Sequence, residues 1–248
     1  MQNLQTTQVG TVQVKSFTLA NNQTSRWCSF DSQDEINQAT VRRILQAAND
    51  SIAKYGSFLI VLAGGSTPKS VYQLLAKEQA DWANWHVYHN DDRCLPVDHV
   101  DRNSKMARDA WLNHVAIPQD QIHDIPAELG NVEGAKAYAK TLAGVRTFDM
   151  VLLGLGEDGH TASLFPNQAV DNSADAVPVF NSPKPPADRV TISQSRLNNT
   201  HGVLFLVTGA GKQDAVNNWL NGVAIPATLI APECGVDVYC FGVQIATN

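Results

Sequence analysis

Cysteine is scarce in this chain and badly spaced for metal or disulfide work. Cys28, Cys94, Cys234 and Cys240 are its only four, and they form neither a C-x-x-C pair nor zinc-finger spacing. They read as reduced thiols, which points to the cytoplasm. Long apolar runs are missing as well. Nothing approaches the roughly 20 residues needed to span a bilayer, and the polar start, "MQNLQTTQVGTVQVKSF", lacks the apolar stretch of a secretory signal. Positive charge is in deficit, with 18 Lys and Arg against 24 Asp and Glu for a net charge of -6. General affinity for nucleic acid or anionic membrane needs the opposite balance, so only a local basic pocket for one small anion is left. No G-x-S-x-G elbow is present, which argues against a serine hydrolase, and no Walker A spacing occurs.

What is there suits a buried core. With 248 residues, 44% hydrophobic and 17% charged, the chain is expected to form a single α/β domain over 1–248. Strand and helix signals alternate. "SQDEINQATVRRILQAANDSIAKYG" opens on a Ser32 and Glu35 capping box, shows one apolar face through Val41, Ile44, Leu45, Ala48 and Ile52, and stops at Gly56. "FLIVLAG" is apolar throughout, as a strand covered on both faces must be. "WHVYH", "FDMVLLGL", "RVTIS", "GVLFLVTG" and "VDVYCFG" read as further strands. "RNSKMARDAWLNHV", "EGAKAYAKTLAG" and "GKQDAVNNWL" read as helices. The expected fold is an open, mostly parallel, doubly wound sheet with helices on both faces, a Rossmann-like three-layer arrangement. "FNSPKPPADR" is dense in proline and reads as a surface loop long enough for a flap.

Two kinds of glycine-rich turn compete for attention. Gly154, Gly156 and Gly159 in "GLGEDGH" form a literal G-x-G-x-x-G. A dinucleotide fingerprint usually closes the first βα unit of its domain, and this one lies past the midpoint of the chain. Glu157 and Asp158 would face a pyrophosphate with like charge, and a proline-rich segment follows instead of a helix and acidic-ended strand. "LAGGSTPKS" runs from a strand through Gly64 and Gly65 into Ser66 and Thr67 at a helix start, with Thr67 expected as the cap and Pro68 at the first helical position. Free N–H groups, two hydroxyls and a positive dipole end suit a phosphate there; a plain tight turn fits equally well. In "VTGAGKQDAV", Lys212 stands at a helix start, a poor place for a cation unless an anion is near.

His160 is the leading general base. It lies just past a strand and two glycines, at the carboxyl edge where open α/β sheets bind ligands, with Asp158 beside it as an orienting carboxylate. "HNDDRCLP" places Asp91, Asp92 and Arg93 at another strand end, either as a solvated charge cluster or as a group able to hold sugar hydroxyls and polarise a carbonyl. His86 and His89 are three apart on a strand, so they point to opposite faces and do not share a metal. His99, His114, His123 and His201 show no partner pattern.

"GGSTP", "DDRCLP" followed by Asn103, "LLGLGEDGHTASLFP" and "RVTIS" through "FLVTGAGK" occur in an order that resembles the 6-phosphogluconolactonases of the oxidative pentose phosphate pathway, from about Phe58 to Cys240. GGSTP is shared with the wider sugar-phosphate isomerase and deaminase group, whereas GEDGHTASLFP is specific. Thr161, Ser163 and Leu164 stand where a deaminase would carry its ring-opening glutamate region. The resemblance implies hydrolysis of a phosphorylated δ-lactone without metal or nucleotide cofactor. It implies His160 as base, Arg93 against the charge on the carbonyl oxygen, and Asp91 holding hydroxyls or orienting the arginine. It places phosphate at Gly65, Ser66 and Thr67 with Lys212 and Arg189 as cations, and Gly64, Asn103 and Asp158 complete the binding set. The partner is a small sugar phosphate rather than nucleic acid or membrane, and the chain is expected as a monomer or small homo-oligomer. Two departures stand out: Asp92 where the family usually has glutamate, and Arg102 where it often has serine. The alternatives are an amino-sugar-phosphate deaminase or isomerase, and a non-catalytic sugar-phosphate sensor. The second needs a helix-turn-helix, for which the residues before Phe58 leave no room.

Overall fold

A computed structural model describes residues 5–9 and 12–246. Its elements, in chain order, are β1 Gln5–Val9, β2 Val12–Thr18, β3 Thr24–Ser29, α1 Gln33–Tyr55, β4 Phe58–Leu62, α2 Ser66–Leu75, β5 Trp85–His89, β6 Asp91–Arg93, α3 Asn103–Ala110, β7 Ile122–His123, α4 Asn131–Leu142 and β8 Met150–Gly154. Next come β9 Ala176–Val179, β10 Arg189–Ile192, α5 Gln194–Asn198, β11 Val203–Thr208, α6 Gln213–Leu220, α7 Pro226–Leu229 and β12 Val236–Phe241.

The main sheet has nine strands in the order β1-β2-β3-β12-β11-β8-β4-β5-β7. From β3 to β7 all neighbours are parallel, and β1 and β2 add an antiparallel margin. The central strands are apolar on both sides because both sides are covered. Phe58, Ile60, Leu62, Leu152 and Leu204 pack with α1, α2 and α3 residues, while Leu59, Val61, Val151, Leu153 and Phe205 pack against Tyr138 and Trp219 of α4 and α6. Each such fully buried side chain contributes roughly 1.5–3 kcal/mol.

Chain direction decides where a ligand can sit. After β4 the chain moves outward through β5 to β7, then returns to β8 on the other side of β4 and moves the opposite way through β11 to β12. The reversal between β4 and β8 opens a crevice at their carboxyl ends.

The helix starts differ in detail from the sequence reading. Ser32 caps α1 as expected, its hydroxyl accepting from Glu35 N–H at 3.2 Å, and Gly56 ends the helix at φ 77°. In α2 the cap is Gly65, with φ 112°, and Ser66 already belongs to the helix. Thr67 is freed from capping and its hydroxyl meets that of Thr208 at 2.7 Å. The helix expected from Arg102 onward ends at Ala110, and α6 starts at Gln213, with Lys212 in a short turn before it.

A second, antiparallel sheet, β6-β10-β9, lies beside the crevice, an addition to the one open sheet expected. The segment "DDR" carries no strand signal of its own. It is drawn into strand geometry by the backbone of β10, with Asp91 opposite Thr191 and Arg93 opposite Arg189.

Candidate active site

Two buried tyrosines fix the strand ends that lead into the site. The Tyr72 hydroxyl of α2 donates to the Ala63 carbonyl at 2.8 Å and accepts from the Ala63 N–H at 3.0 Å. The Tyr138 hydroxyl of α4 does the same for His89, at 3.0 Å both ways. Burial pushes both phenols well above their ordinary range, so they stay neutral and able to donate. Gly64 and Asp91 thus leave their strands from clamped positions.

Past β8 the chain makes a tight loop and not a helix. Gly156 N–H donates to the His160 carbonyl at 2.7 Å, Gly159 N–H to Gly156 at 3.0 Å, and Gly159 takes φ 86°. The imidazole of His160 folds back over Gly156, where a Cβ would lie only 1.9 Å from Nδ1. Its ring stands 4.9 Å from that of Phe165, and Nδ1 lies 2.5 Å from Asp158 Oδ1. A contact that short needs a proton between the two atoms, so Nδ1 carries it and Nε2 holds the lone pair in the neutral ring. Burial lowers the His160 pKa, against the pull of Asp158 and Asp91 and aided by the nearby Lys184. For Asp158, burial is outweighed by the hydrogen bonds from His160, and its carboxyl is held below the ordinary range.

Asp91 and Asp92 are neighbours with separate tasks. Asp91 accepts from Asn103 Nδ2 at 3.0 Å through Oδ1 and from the Ser163 hydroxyl at 2.5 Å through Oδ2. Burial raises its pKa, opposed by Ser163 and by Arg189, whose Nη1 is 3.9 Å away. Asp92 is wholly buried and faces away from the crevice. It accepts the Asn103 N–H and Arg93 N–H at 2.8 Å, the Ser104 hydroxyl at 2.7 Å, and Arg102 Nε at 2.8 Å. Arg102 donates further to the carbonyls of Leu95 and Ile125 and to Glu128. The two positions that depart from the family pattern are therefore each other's partners, tying the start of α3 to β6. Asn103, so held, lays its amide over Gly64, where a Cβ would fall 2.1 Å from Oδ1.

These parts surround one cleft of about 330 Å³. His160, Asp91, Arg93, Asn103, Gly64, Gly65, Ser66, Thr67, Arg189 and Lys212 all line it; Asp158 stands behind His160. The imidazole and the Lys212 ammonium share this cleft. Of the two tasks expected of Asp91, holding hydroxyls or orienting Arg93, the second does not fit: Arg93 Nη1 donates to the Asp101 carbonyl at 2.7 Å, and the guanidinium beside Asp91 is that of Arg189. Arg189, read as a phosphate cation, is largely spent on its own turn, donating to the Lys184 and Pro185 carbonyls at 3.0 and 3.1 Å. The turn is closed further by Ser182 N–H on Ala187 O at 2.8 Å and the Ser182 hydroxyl on Lys184 O at 2.8 Å. The proline-rich segment is thus a braced rim.

Asn90, Thr161, Lys184 and Thr208 also line the cleft and escape the sequence reading as site residues. Asn90 Oδ1, Arg93 Nε and Thr161 Oγ1 are buried there without hydrogen-bond partners, a cost that folds tolerate more readily at functional sites than elsewhere. A signal for Lys184 exists, a lysine inside a proline-rich loop, but nothing in sequence says that the loop borders this cleft. Among the described residues no group of three or more His, Cys, Asp or Glu side chains could hold a metal ion. No helix there is long and apolar enough to cross a membrane.

Known proteins share this fold. The chain is similar to the 6-phosphogluconolactonase of Synechocystis sp., 39% identical over 197 residues that cover 74% of this chain and 81% of that one. It is similar to the 6-phosphogluconolactonase of Mycobacterium tuberculosis, 36% identical over 80% of this chain and 88% of the other. The crystal structure of a 6-phosphogluconolactonase from Thermotoga maritima shares the fold, with a TM-score of 0.82 at 24% identity over 88% of this chain and 99% of that one. Residues 31–239 match the family described as glucosamine-6-phosphate isomerases/6-phosphogluconolactonase. The chain belongs to that family.

Proposed function

We propose that the protein hydrolyses 6-phospho-D-glucono-1,5-lactone to 6-phospho-D-gluconate. The observation that carries this reading is the shared cleft, which joins a histidine of fixed tautomer to a hydroxyl-rich helix start and a lysine. Kinship with lactonases supports it.

A δ-lactone is an activated ester, so water needs a base and some relief of charge. Neutral His160 takes a proton from water through Nε2 as the water oxygen bonds to C1, and the carbonyl π electrons move onto oxygen. The Asp158 carboxylate holds the resulting imidazolium. Arg93 offsets charge on the carbonyl oxygen. Collapse re-forms the carbonyl and breaks the bond from C1 to the ring oxygen, which takes the proton back from His160. The new carboxyl group then releases a proton to solvent. At the other end the phosphate sits on the α2 start, with Gly65, Ser66, Thr67 and Lys212 as partners. Asn103 and Asp91 face the sugar hydroxyls between, and Arg189 braces them. The reading goes with a cytoplasmic location, four free cysteines and no cofactor.

A coupled assay on fresh lactone, corrected for spontaneous hydrolysis, tests it. Turnover should be clear, and His160→Ala should lower kcat by about 10²–10⁴-fold with KM little changed. Ammonia release from glucosamine 6-phosphate in place of lactone turnover would transfer the site to the deaminase reading.

A further inference from the structure

Lys184 is the one cleft-lining cation that neither the motifs nor the mechanism above employ. Its backbone is unusually well held for a surface loop. The carbonyl accepts from Arg189 Nη2 and from the Ser182 hydroxyl, and the N–H donates to that same hydroxyl at 3.2 Å. Arg189 in turn rests over the Phe165 ring, 5.7 Å from its centroid, and His160 packs on the same ring. Lys184 is therefore anchored, through one guanidinium and one phenyl group, to the imidazole end of the cleft. Lys212 lines the same cleft a few residues after Thr208, whose hydroxyl meets that of Thr67 at the start of α2. The Lys184 ammonium makes no hydrogen bond or ion pair among the described residues, whereas Arg93 already gives Nη1 to the Asp101 carbonyl.

The geometry points to Lys184 as a catalytic residue that stabilises the oxyanion formed at C1 and the carboxylate that succeeds it, and not as a second phosphate ligand. The assignment rests on the lactonase reading above. A cation carried on a braced turn at the edge of a partly enclosed site acts on charge that develops there. It also acts on the base. The charged groups facing His160 are Asp158 from its own turn, Asp91 from β6 and Lys184 from the rim, and Lys184 is the one that disfavours the imidazolium.

The test sets Lys184→Met beside Lys212→Met, with inorganic phosphate as a competitive inhibitor. Lys184 is exposed, so the variant should fold, and unchanged circular dichroism would establish that. Lys184→Met should lower kcat by roughly tenfold to a hundredfold, leave KM and phosphate inhibition near those of the unaltered protein, and move the acid limb of the kcat/KM profile to higher pH. Lys184→Arg should recover most of the loss. Lys212→Met should instead raise KM and weaken phosphate inhibition in step. If Lys184→Met keeps kcat, or if its defect lies in KM with weakened phosphate inhibition and an unmoved acid limb, the assignment is wrong while the lactonase reading stands. No turnover by the unaltered protein above spontaneous hydrolysis would overturn both.

Discussion

The two glycine-rich turns facing the cleft use glycine in the same way and arrive at opposite chemistry. In each, one glycine clears space for a side chain from elsewhere: Gly64 lies under the amide of Asn103, and Gly156 lies under the imidazole of His160. In each, a second glycine takes a positive φ, 112° at Gly65 and 86° at Gly159. The two part company at the next element of the chain. After Gly65 the chain enters α2 at once, so unpaired N–H groups and a positive dipole end face the cleft. After Gly159 no helix begins until α5, so the turn offers a ring nitrogen and no anion nest. A G-x-G-x-x-G match describes only the room that glycine makes; the succeeding element decides its use.

That comparison can be broken most sharply at Gly156. Gly156→Ala should displace the imidazole from Asp158 and lower kcat by about 10²-fold or more, close to the loss of the base itself. Thermal unfolding and the steady-state assay together would separate this from misfolding. An alanine variant with normal kcat would show that the imidazole does not depend on the bare backbone beneath it. Asp92→Asn strikes the support of the other turn. It removes the buried carboxylate partner of Arg102, which keeps Glu128 and two carbonyls, and should cost about 1–3 kcal/mol in urea unfolding. Gly64→Ala, which pushes on Asn103, should act mainly on substrate binding, raising KM by roughly tenfold with a smaller change in kcat. The smallest effect concerns pH. His160 works as the neutral ring, so activity is lost as pH falls through its pKa, which burial holds below the ordinary imidazole range. Asp158 raises that pKa, so Asp158→Asn should move the acid limb of kcat/KM to still lower pH while also reducing kcat. A limb that moved upward would mean that Asp158 does not pair with the catalytic ring.

Much of the main sheet is legible in the sequence because its strands are covered on both faces and so must be apolar end to end. "FLIVL", "MVLLG" and "VLFLVT" have few other uses at that length. The small sheet is illegible for the converse reason: "DDR" is a strand only because β10 lies alongside it. In the site, His160 and Lys212 can be picked out since each sits at a turn after a strong strand. Lys184, Asn90 and Thr208 cannot, because their value comes from a meeting of segments far apart in the chain. Asp92 and Arg102 fall between these cases. Both are visible as departures from a pattern, but their pairing, ten positions apart in the chain, exists only in three dimensions.

The braced rim at residues 182–187 has a bearing on speed. A border pinned by Arg189, itself seated beside Asp91 and Phe165, is tied to the wall of the cleft, so product escape is expected without a gate that must open. Added glycerol or sucrose, which slows diffusive exit and loop swinging alike, should leave the saturated turnover rate unmoved, with proton transfer and ring opening setting the pace.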